Sequence, residues 1–289
     1  MTEIPTSRPP VRETRRANLA VPPRSVDCHT HVFVDGCPLI DNRGYNPPES
    51  TLDDMLAMHE KLGIERVVFT QPSVYGTDNS AILDAVDQIP DRARAVVAIS
   101  GEVTDEQLEG LHSRGARGIR LNLDNVGGMP MELDQVPALV KRIAALAWHV
   151  EFLFAGAELP DLLPLLRSLD APVSIGHFGY MPALAGVDYP PFRALLNLVR
   201  EGNTWVKLSG PNRLGLGDLP PWPEVTPMAQ ALIDANPDRM LWATDWPHPN
   251  KFGDQPNDAD LIEQLQLWAP DEEMRRRILV DNPSALYGF

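Results

Sequence analysis

Four of the seven histidines stand where short apolar, β-branched runs give out. His29 and His31 end Val26-Asp-Cys-His-Thr-His, His177 ends Ser174-Ile-Gly-His, and His248 lies just beyond Met240-Leu-Trp-Ala-Thr-Asp, which Asp245 closes. Two residues apart on a strand, His29 and His31 point to the same side. Imidazoles and a carboxylate on one polar floor suit two uses. They can hold a single divalent ion, or they can polarise a carbonyl directly while Asp245 takes a proton from water. Any one of these residues alone reads more simply as a satisfied core group; His29, His31, His177 and Asp245 together do not. His59, His112 and His149 fall on helical stretches or at a strand start and are expected to be surface or interhelical residues.

For the four to meet, the runs that carry them must be parallel strands whose C-terminal ends share one mouth. From Ser25 onward, strand-like runs alternate with helix-period segments, the pattern of repeated βα units. Strands are expected at Val26–Phe33, Arg66–Gln71, Ala93–Ser100, Gly118–Leu123, His149–Phe154, Val173–His177, Trp205–Ser209 and Met240–Thr244. Helices are expected at Thr51–Leu62, Asn79–Gln88, Thr104–Ser113, Val136–Ala147, Leu159–Ser168, Pro191–Arg200, Pro227–Ala235 and Asp258–Trp268. Thr51, Thr104 and Thr226 can cap first turns. Gly63, Gly115 and Gly202 follow helical runs, where a left-handed residue is wanted. Such units close most economically into an α/β fold of the (β/α)8 TIM-barrel type, with a doubly wound open sheet as the alternative. Residues 1–24 carry Arg8, Arg12, Arg15, Arg16 and Arg24 among prolines and show no period. They are expected to form an extended arm lying on the barrel or on a neighbouring subunit, outside a single catalytic domain of residues 25–289.

The 289 residues, 43% of them hydrophobic, can bury one large core. A formal net charge of -15 repels phosphate backbones and anionic lipid, so neither nucleic acid nor membrane is an expected partner. Cys28 and Cys37 are too few for a secreted disulfide framework and fit a reducing compartment. No apolar run approaches the ~18 residues of a membrane span and no signal-like segment stands at the N-terminus. A cytoplasmic protein acting on a small molecule is expected, with homo-oligomerisation open.

Asp27-Cys-His-Thr-His, Gly176-His-Phe-Gly and Ala243-Thr-Asp-Trp-Pro-His-Pro-Asn resemble the amidohydrolase superfamily. More narrowly they resemble its branch of 2-pyrone-4,6-dicarboxylate lactonases and sugar lactonases. Gln71-Pro-Ser-Val-Tyr-Gly-Thr-Asp-Asn, Gly118-Ile-Arg-Leu-Asn and Lys207-Leu-Ser-Gly-Pro-Asn-Arg extend the likeness in family order. The resemblance implies a lactone hydrolase, a class in which several members need no metal. Asp245 would be the general base, and His29, His31 and His177 would polarise the carbonyl. If one divalent ion binds instead, Zn or Mn, those four residues are the ligands. Two-metal members place a bridging Lys or Glu at the end of strand five, where Phe152-Leu-Phe-Ala-Gly has neither. Glu151 sits early on that strand and reads as a structural residue near the barrel bottom, so at most one ion is expected.

Arg120 and Arg213 are the candidate forks for a substrate carboxylate. Tyr45, Ser73 and Tyr75 could add hydroxyl donors, and Asn122 and Asn250 amides. His248 either donates to substrate or shapes the mouth with Trp246. Where the resemblance implies further arginines, the chain reads Asp124-Asn-Val-Gly-Gly and Gly179-Tyr180. Losing two charge-assisted bonds of about 1.5–3 kcal/mol each disfavours a dicarboxylate unless Lys207 or Arg43 compensates. An aldono- or muconolactone-like monocarboxylate is expected. The alternatives are a metal-dependent decarboxylase, a lactone isomerase, or a silent barrel with a blocked mouth.

Overall fold

The computed structural model, described for residues 3–215 and 217–289, arranges parallel strands in a ring wrapped by helices. The strands are β1 (Val26–Thr30), β2 (Arg66–Thr70), β3 (Ala93–Val97), β4 (Ala116–Asn122), β5 (His149–Leu153), β6 (Val173–Ile175), β7 (Thr204–Leu208) and β8 (Met240–Trp242). They pair in sequence order. The ring closes just past β8, where Asp245 N–H donates to His29 O at 3.0 Å and His31 N–H to Trp246 O at 2.8 Å. The chain is therefore a (β/α)8 barrel and not an open sheet. Helices α1 (Leu52–Leu62), α2 (Ser80–Gln88), α3 (Asp105–Ser113), α4 (Val136–Ala144), α5 (Leu159–Ser168), α6 (Pro190–Arg200) and α7 (Thr226–Ala235) make the crossovers. After β8 come α8 (Asp258–Glu263), α9 (Leu265–Trp268), α10 (Glu272–Arg276) and α11 (Asn282–Tyr287).

Strand alternation sorts the side chains into two cores. Val67, Phe69, Val97, Ile119, Val150 and Phe152 join the helices in one continuous apolar cluster. Val26, Cys28, Val68, Val96, Leu241 and Ala243 form a second, which Tyr287 of α11 closes. Each fully buried side chain of this kind stabilises the fold by about 1.5–3 kcal/mol. Thr51 and Thr104 cap α1 and α3 in reciprocal capping boxes. Gly63, Gly115 and Gly202 have φ of 77°, 91° and 92°, the left-handed geometry their positions after helices require.

Several expectations need correction. Strands β6 and β8 stop short of their expected C-terminal ends, and left-handed backbone follows them, with φ of 49° at His177 and 68° at Asp245. Thr226 is the first residue of α7 and makes no side-chain cap. The expected Asp258–Trp268 helix is split into α8 and α9. Residues 272–287, for which no element was expected, are helical with a π turn at Arg277–Asp281, whose wider period shifts the apolar phase. His59 is not a surface residue. It is buried, with Nε2 3.2 Å from Asp27 Oδ2, and Asp27 also accepts the Thr244 N–H at 3.0 Å, so α1 is tied to the β1–β8 seam. His149 is wholly buried and its Nδ1–H donates to Arg117 O at 2.9 Å. A Cβ at Gly118 would come within 2.3 Å of His149 Cε1, so the ring fits only because that position has no side chain. His112 is half-buried and accepts the Trp148 indole N–H at 2.9 Å.

Residues 3–24 contain no helix and lie against this barrel. Ser7 N–H donates to Asn46 O at 2.9 Å, the Ser7 hydroxyl accepts the Asn250 N–H at 3.0 Å, and Arg8 N–H donates to Lys251 O at 3.1 Å. Arg15 pairs with Asp260 and Glu263. The segment thereby ties the loop after β1 to the loop after β8. Cys28 and Cys37 are free thiols. Among the described residues no helix is long and apolar enough to cross a membrane.

Candidate active site

The pairing register shifts between Asp27 and Thr30, and His29, within the shift, and His31, just past it, both reach the centre of the mouth. Their Nε2 atoms are 3.2 Å apart. Asp245 Oδ1 lies 3.8 Å from His29 Nε2, 3.9 Å from His31 Nε2 and 3.5 Å from His177 Nε2. All four residues are at most 2% exposed. Left-handed backbone holds two of them. His177, Phe178 and Tyr180 have φ of 49°, 54° and 47°, and Asp245, His248 and Asn250 have 68°, 59° and 58°. Each such non-glycine residue costs roughly 1–2 kcal/mol, strain that persists where surrounding structure over-determines it, as at functional sites. The turn after β6 stacks the Tyr180 ring on His177, with centroids 5.4 Å apart and planes 19° apart.

Burial, and then the positive charges of Lys207, Arg120 and Arg213, hold His29 well below its ordinary pKa. Burial dominates in the same direction at His31 and His177, so all three imidazoles are neutral near pH 7. Burial alone would raise the Asp245 carboxyl. The Arg213 guanidinium, foremost among its neighbours, outweighs it and leaves the pKa below the usual carboxylate value. Arg213 Nε donates to Asp245 Oδ2 at 2.6 Å. His31 Nδ1 lies 2.6 Å from Thr70 O; a carbonyl only accepts, so the proton is on Nδ1 and Nε2 presents a lone pair. His177 Nε2 faces the Asp245 carboxylate, also an acceptor, so the Ser209 hydroxyl donates to its Nδ1 at 2.9 Å.

The other expected residues divide by position. Arg120 anchors Nη1 on Gln71 O at 2.6 Å and leaves Nε buried without a hydrogen-bond partner, 3.9 Å from Glu151 Oε1. Arg213 also donates from Nη2 to Pro249 O at 2.7 Å. Tyr45 is buried near Ser73 and feels the charges of Arg120, Arg213 and Asp245. Tyr75 lies farther out, beyond Phe33, and its hydroxyl accepts the Val34 N–H at 3.2 Å. Asn122 Oδ1 accepts from the N–H groups of Asp124 and Asn125 and shapes that turn. Asn250 donates to Asn125 Oδ1 at 2.8 Å, and His248 Nε2 lies 3.1 Å from Asp258 Oδ1. Arg43 donates to Ile40 O and Asn46 Oδ1 in its own loop.

Glu151 does not belong to the barrel bottom or to a helix contact. It lies under the mouth with Oε1 3.4 Å from His29 Nδ1, and the Lys207 ammonium binds its Oε2. Lys207 is 0% exposed and so is not a cation offered at the rim. Burial raises the Glu151 carboxyl, but Lys207 and Arg120 outweigh this and hold its pKa below the ordinary value. Period-two counting from His149 along β5 would have placed Glu151 on the inner face.

The donor atoms of His29, His31 and Asp245 lie within 4.8 Å of one another. Bonds of about 2.0–2.1 Å to tetrahedral zinc place neighbouring donors roughly 3.3 Å apart. The observed separations among these three, 3.2 to 3.9 Å, fit one divalent ion, and His177 Nε2 lies 3.5 Å from Asp245 Oδ1 beside them.

A closed (β/α)8 ring with imidazoles and a carboxylate at its C-terminal mouth is amidohydrolase architecture. The Amidohydrolase family model matches residues 26–289, and the chain belongs to that family, as its motifs led us to expect. It is 40% identical over 274 residues to the 4-sulfomuconolactone hydrolase of Hydrogenophaga intermedia, covering 93% of this chain and 90% of that one. It is 35% identical over 279 residues to the 2-pyrone-4,6-dicarboxylate hydrolase of Comamonas testosteroni, covering 92% and 91%. An apo structure from Agrobacterium tumefaciens superposes with a TM-score of 0.82 at 31% identity, covering 94% and 98%. A zinc-bound amidohydrolase of Burkholderia multivorans shares the fold, with a TM-score of 0.67 at 20% identity and coverage of 93% and 100%.

Proposed function

We propose that this protein hydrolyses a small lactone carrying one carboxylate or comparable anion, with Asp245 as general base. The observation that carries the reading is the placement of Asp245 Oδ1 3.5 to 3.9 Å from the Nε2 atoms of three neutral histidines, while Arg213 holds Oδ2. The activities named for the Hydrogenophaga and Comamonas relatives support lactone chemistry. Lys207, Arg120 and Arg213 stand against Glu151 and Asp245 in the barrel, an excess of one positive charge that a monoanion neutralises. A muconolactone-like monocarboxylate fits this balance better than a dicarboxylate.

Substrate enters the C-terminal mouth with its carboxylate on Arg120 or Arg213. Tyr45 and Ser73 line the same side. A water beside Asp245 gives up a proton to the carboxylate and attacks the carbonyl carbon. His29 and His177 present N–H groups to the oxygen that gains charge, an arrangement worth several kcal/mol where water is excluded. His31 presents a lone pair and accepts. Collapse of the tetrahedral intermediate breaks the ring C–O bond, and the proton on Asp245 passes to the departing alkoxide. A substrate carboxylate that shares Arg213 draws charge away from Asp245 and restores its basicity as the water is lined up.

If one divalent ion binds, His29, His31, His177 and Asp245 hold it, and it supplies Lewis-acid polarisation of the carbonyl and a more acidic water. The nitrogen-rich donor set favours zinc over manganese. The test is a hydrolysis panel of mono- and dicarboxylate lactones run beside metal analysis. Asp245→Asn is expected to lower kcat by about 10²- to 10⁴-fold with an unchanged circular dichroism spectrum. Near-normal turnover in that variant refutes the assignment.

A further inference from the structure

Beneath His29 lies a buried ion pair that the hydrolytic steps do not use. Lys207 of β7 and Glu151 of β5 are 0% and 1% exposed. The ammonium binds Glu151 Oε2 and lies 3.2 Å from His29 Nδ1. An ammonium has donors and no lone pair, so Nδ1 must accept and the ring proton is left on Nε2. His31 is constrained from its other side by Thr70 O, which fixes a lone pair on its Nε2. The two Nε2 atoms, 3.2 Å apart, are thus a donor facing an acceptor. One proton arrangement satisfies the whole row from Lys207 through His29 and His31 to Thr70. The opposite tautomer of His29 sets N–H against ammonium at one end and lone pair against lone pair at the other.

We propose that Lys207, held by Glu151, is the positioning residue that sets the tautomer of His29 and so keeps on Nε2 the N–H that faces His31 in the free protein and is shared with the reacting carbonyl when substrate binds. Glu151 Oε1 is buried without a hydrogen-bond partner and lies 3.4 Å from His29 Nδ1. It is the acceptor available when the ring proton moves to Nδ1, as it must if a divalent ion takes the Nε2 lone pair. The pair gives His29 a partner in either state, and the ammonium decides which state the metal-free protein adopts. The catalytic consequence rests on the lactone-hydrolase reading; the tautomer does not.

Long-range 1H–15N correlation spectra of 15N-histidine protein, freed of any metal by chelation, read the tautomer directly, with His29 assigned by the signal lost in His29→Asn. The wild-type ring is expected in the Nε2–H form. Lys207→Met is expected to switch it to Nδ1–H, with kcat lowered about 10²-fold and KM within about threefold. Lys207→Arg, which still donates, is expected to keep the Nε2–H form. An Nδ1–H ring in the metal-free wild type overturns the proposal whether or not Lys207→Met folds. An unchanged ring in folded Lys207→Met overturns it as well. An Nε2–H ring in a protein that opens no lactone upholds the tautomer assignment and refutes the hydrolase reading instead.

Discussion

Acid should weaken this fold through His149 by an amount that its burial determines. The ring is wholly enclosed in β5, edge-on to Tyr287 at 5.1 Å and packed over Gly118. Its Nδ1–H is satisfied by Arg117 O, but Nε2 has no partner to receive a second proton's charge. Burial is the dominant influence and lowers the pKa from 6.5 to about 4. The unfolded chain regains the ordinary value, so as pH falls the unfolded state binds the proton first. Stability that is complete above about 6.5 is therefore lost as pH falls through about 4. At about 1.4 kcal/mol for each tenfold difference in proton affinity, the loss reaches about 2 kcal/mol by pH 5 and about 3 kcal/mol at pH 4. Urea denaturation of wild type and His149→Gln at pH 7.5, 6 and 5 measures it. The Gln amide can still donate to Arg117 O and does not titrate. Comparing the two pH dependences cancels the parallel contributions of His29, His31 and His177. The variant should lose about 2 kcal/mol less than wild type between pH 7.5 and 5. Parallel curves would refute the reasoning and mean that the protonated ring finds water or an acceptor inside the fold.

Arg213→Met removes the group that holds Asp245 below its usual pKa, so burial is left to raise that carboxyl and the acid limb of the kcat profile should move to higher pH. The same variant should raise KM for carboxylate-bearing lactones about 10- to 150-fold, the equivalent of about 1.5–3 kcal/mol, and an unchanged KM would remove Arg213 from substrate binding. Ser7→Ala deprives the Asn250 N–H of its acceptor, a local loss of about 1–3 kcal/mol in a part-buried bond. Hydrogen exchange should then quicken at Asn250 and its neighbours before global unfolding. Unaltered exchange there would mean that the N-terminal segment does not hold the loop after β8.

The barrel and its mouth were legible for one physical reason and the floor was hidden for another. Histidines and an aspartate at the ends of apolar runs are polar groups at the one place where a parallel barrel gathers chemistry, so His29, His31, His177 and Asp245 stood out by type and position. Tyr75, Asn122 and Asn250 were harder, because a loop's hydroxyl or amide serves whichever backbone group its turn presents, and Val34, Asp124 and Asn125 are met only once the loops are built. The floor follows a rule that the sequence does carry. His149 and Glu151 alternate with Trp148, Val150 and Phe152, and Lys207 stands between Val206 and Leu208. A charge in such a run must turn inward, where it needs an opposite charge at the same level of the ring. Arg120 is the register partner of Glu151 on the neighbouring strand, which strand pairing alone could suggest. Lys207 is two strands away from Glu151, and only closure of the ring carries its ammonium across the interior. The need for a partner can be read from one strand, whereas the partner's identity depends on the closed barrel.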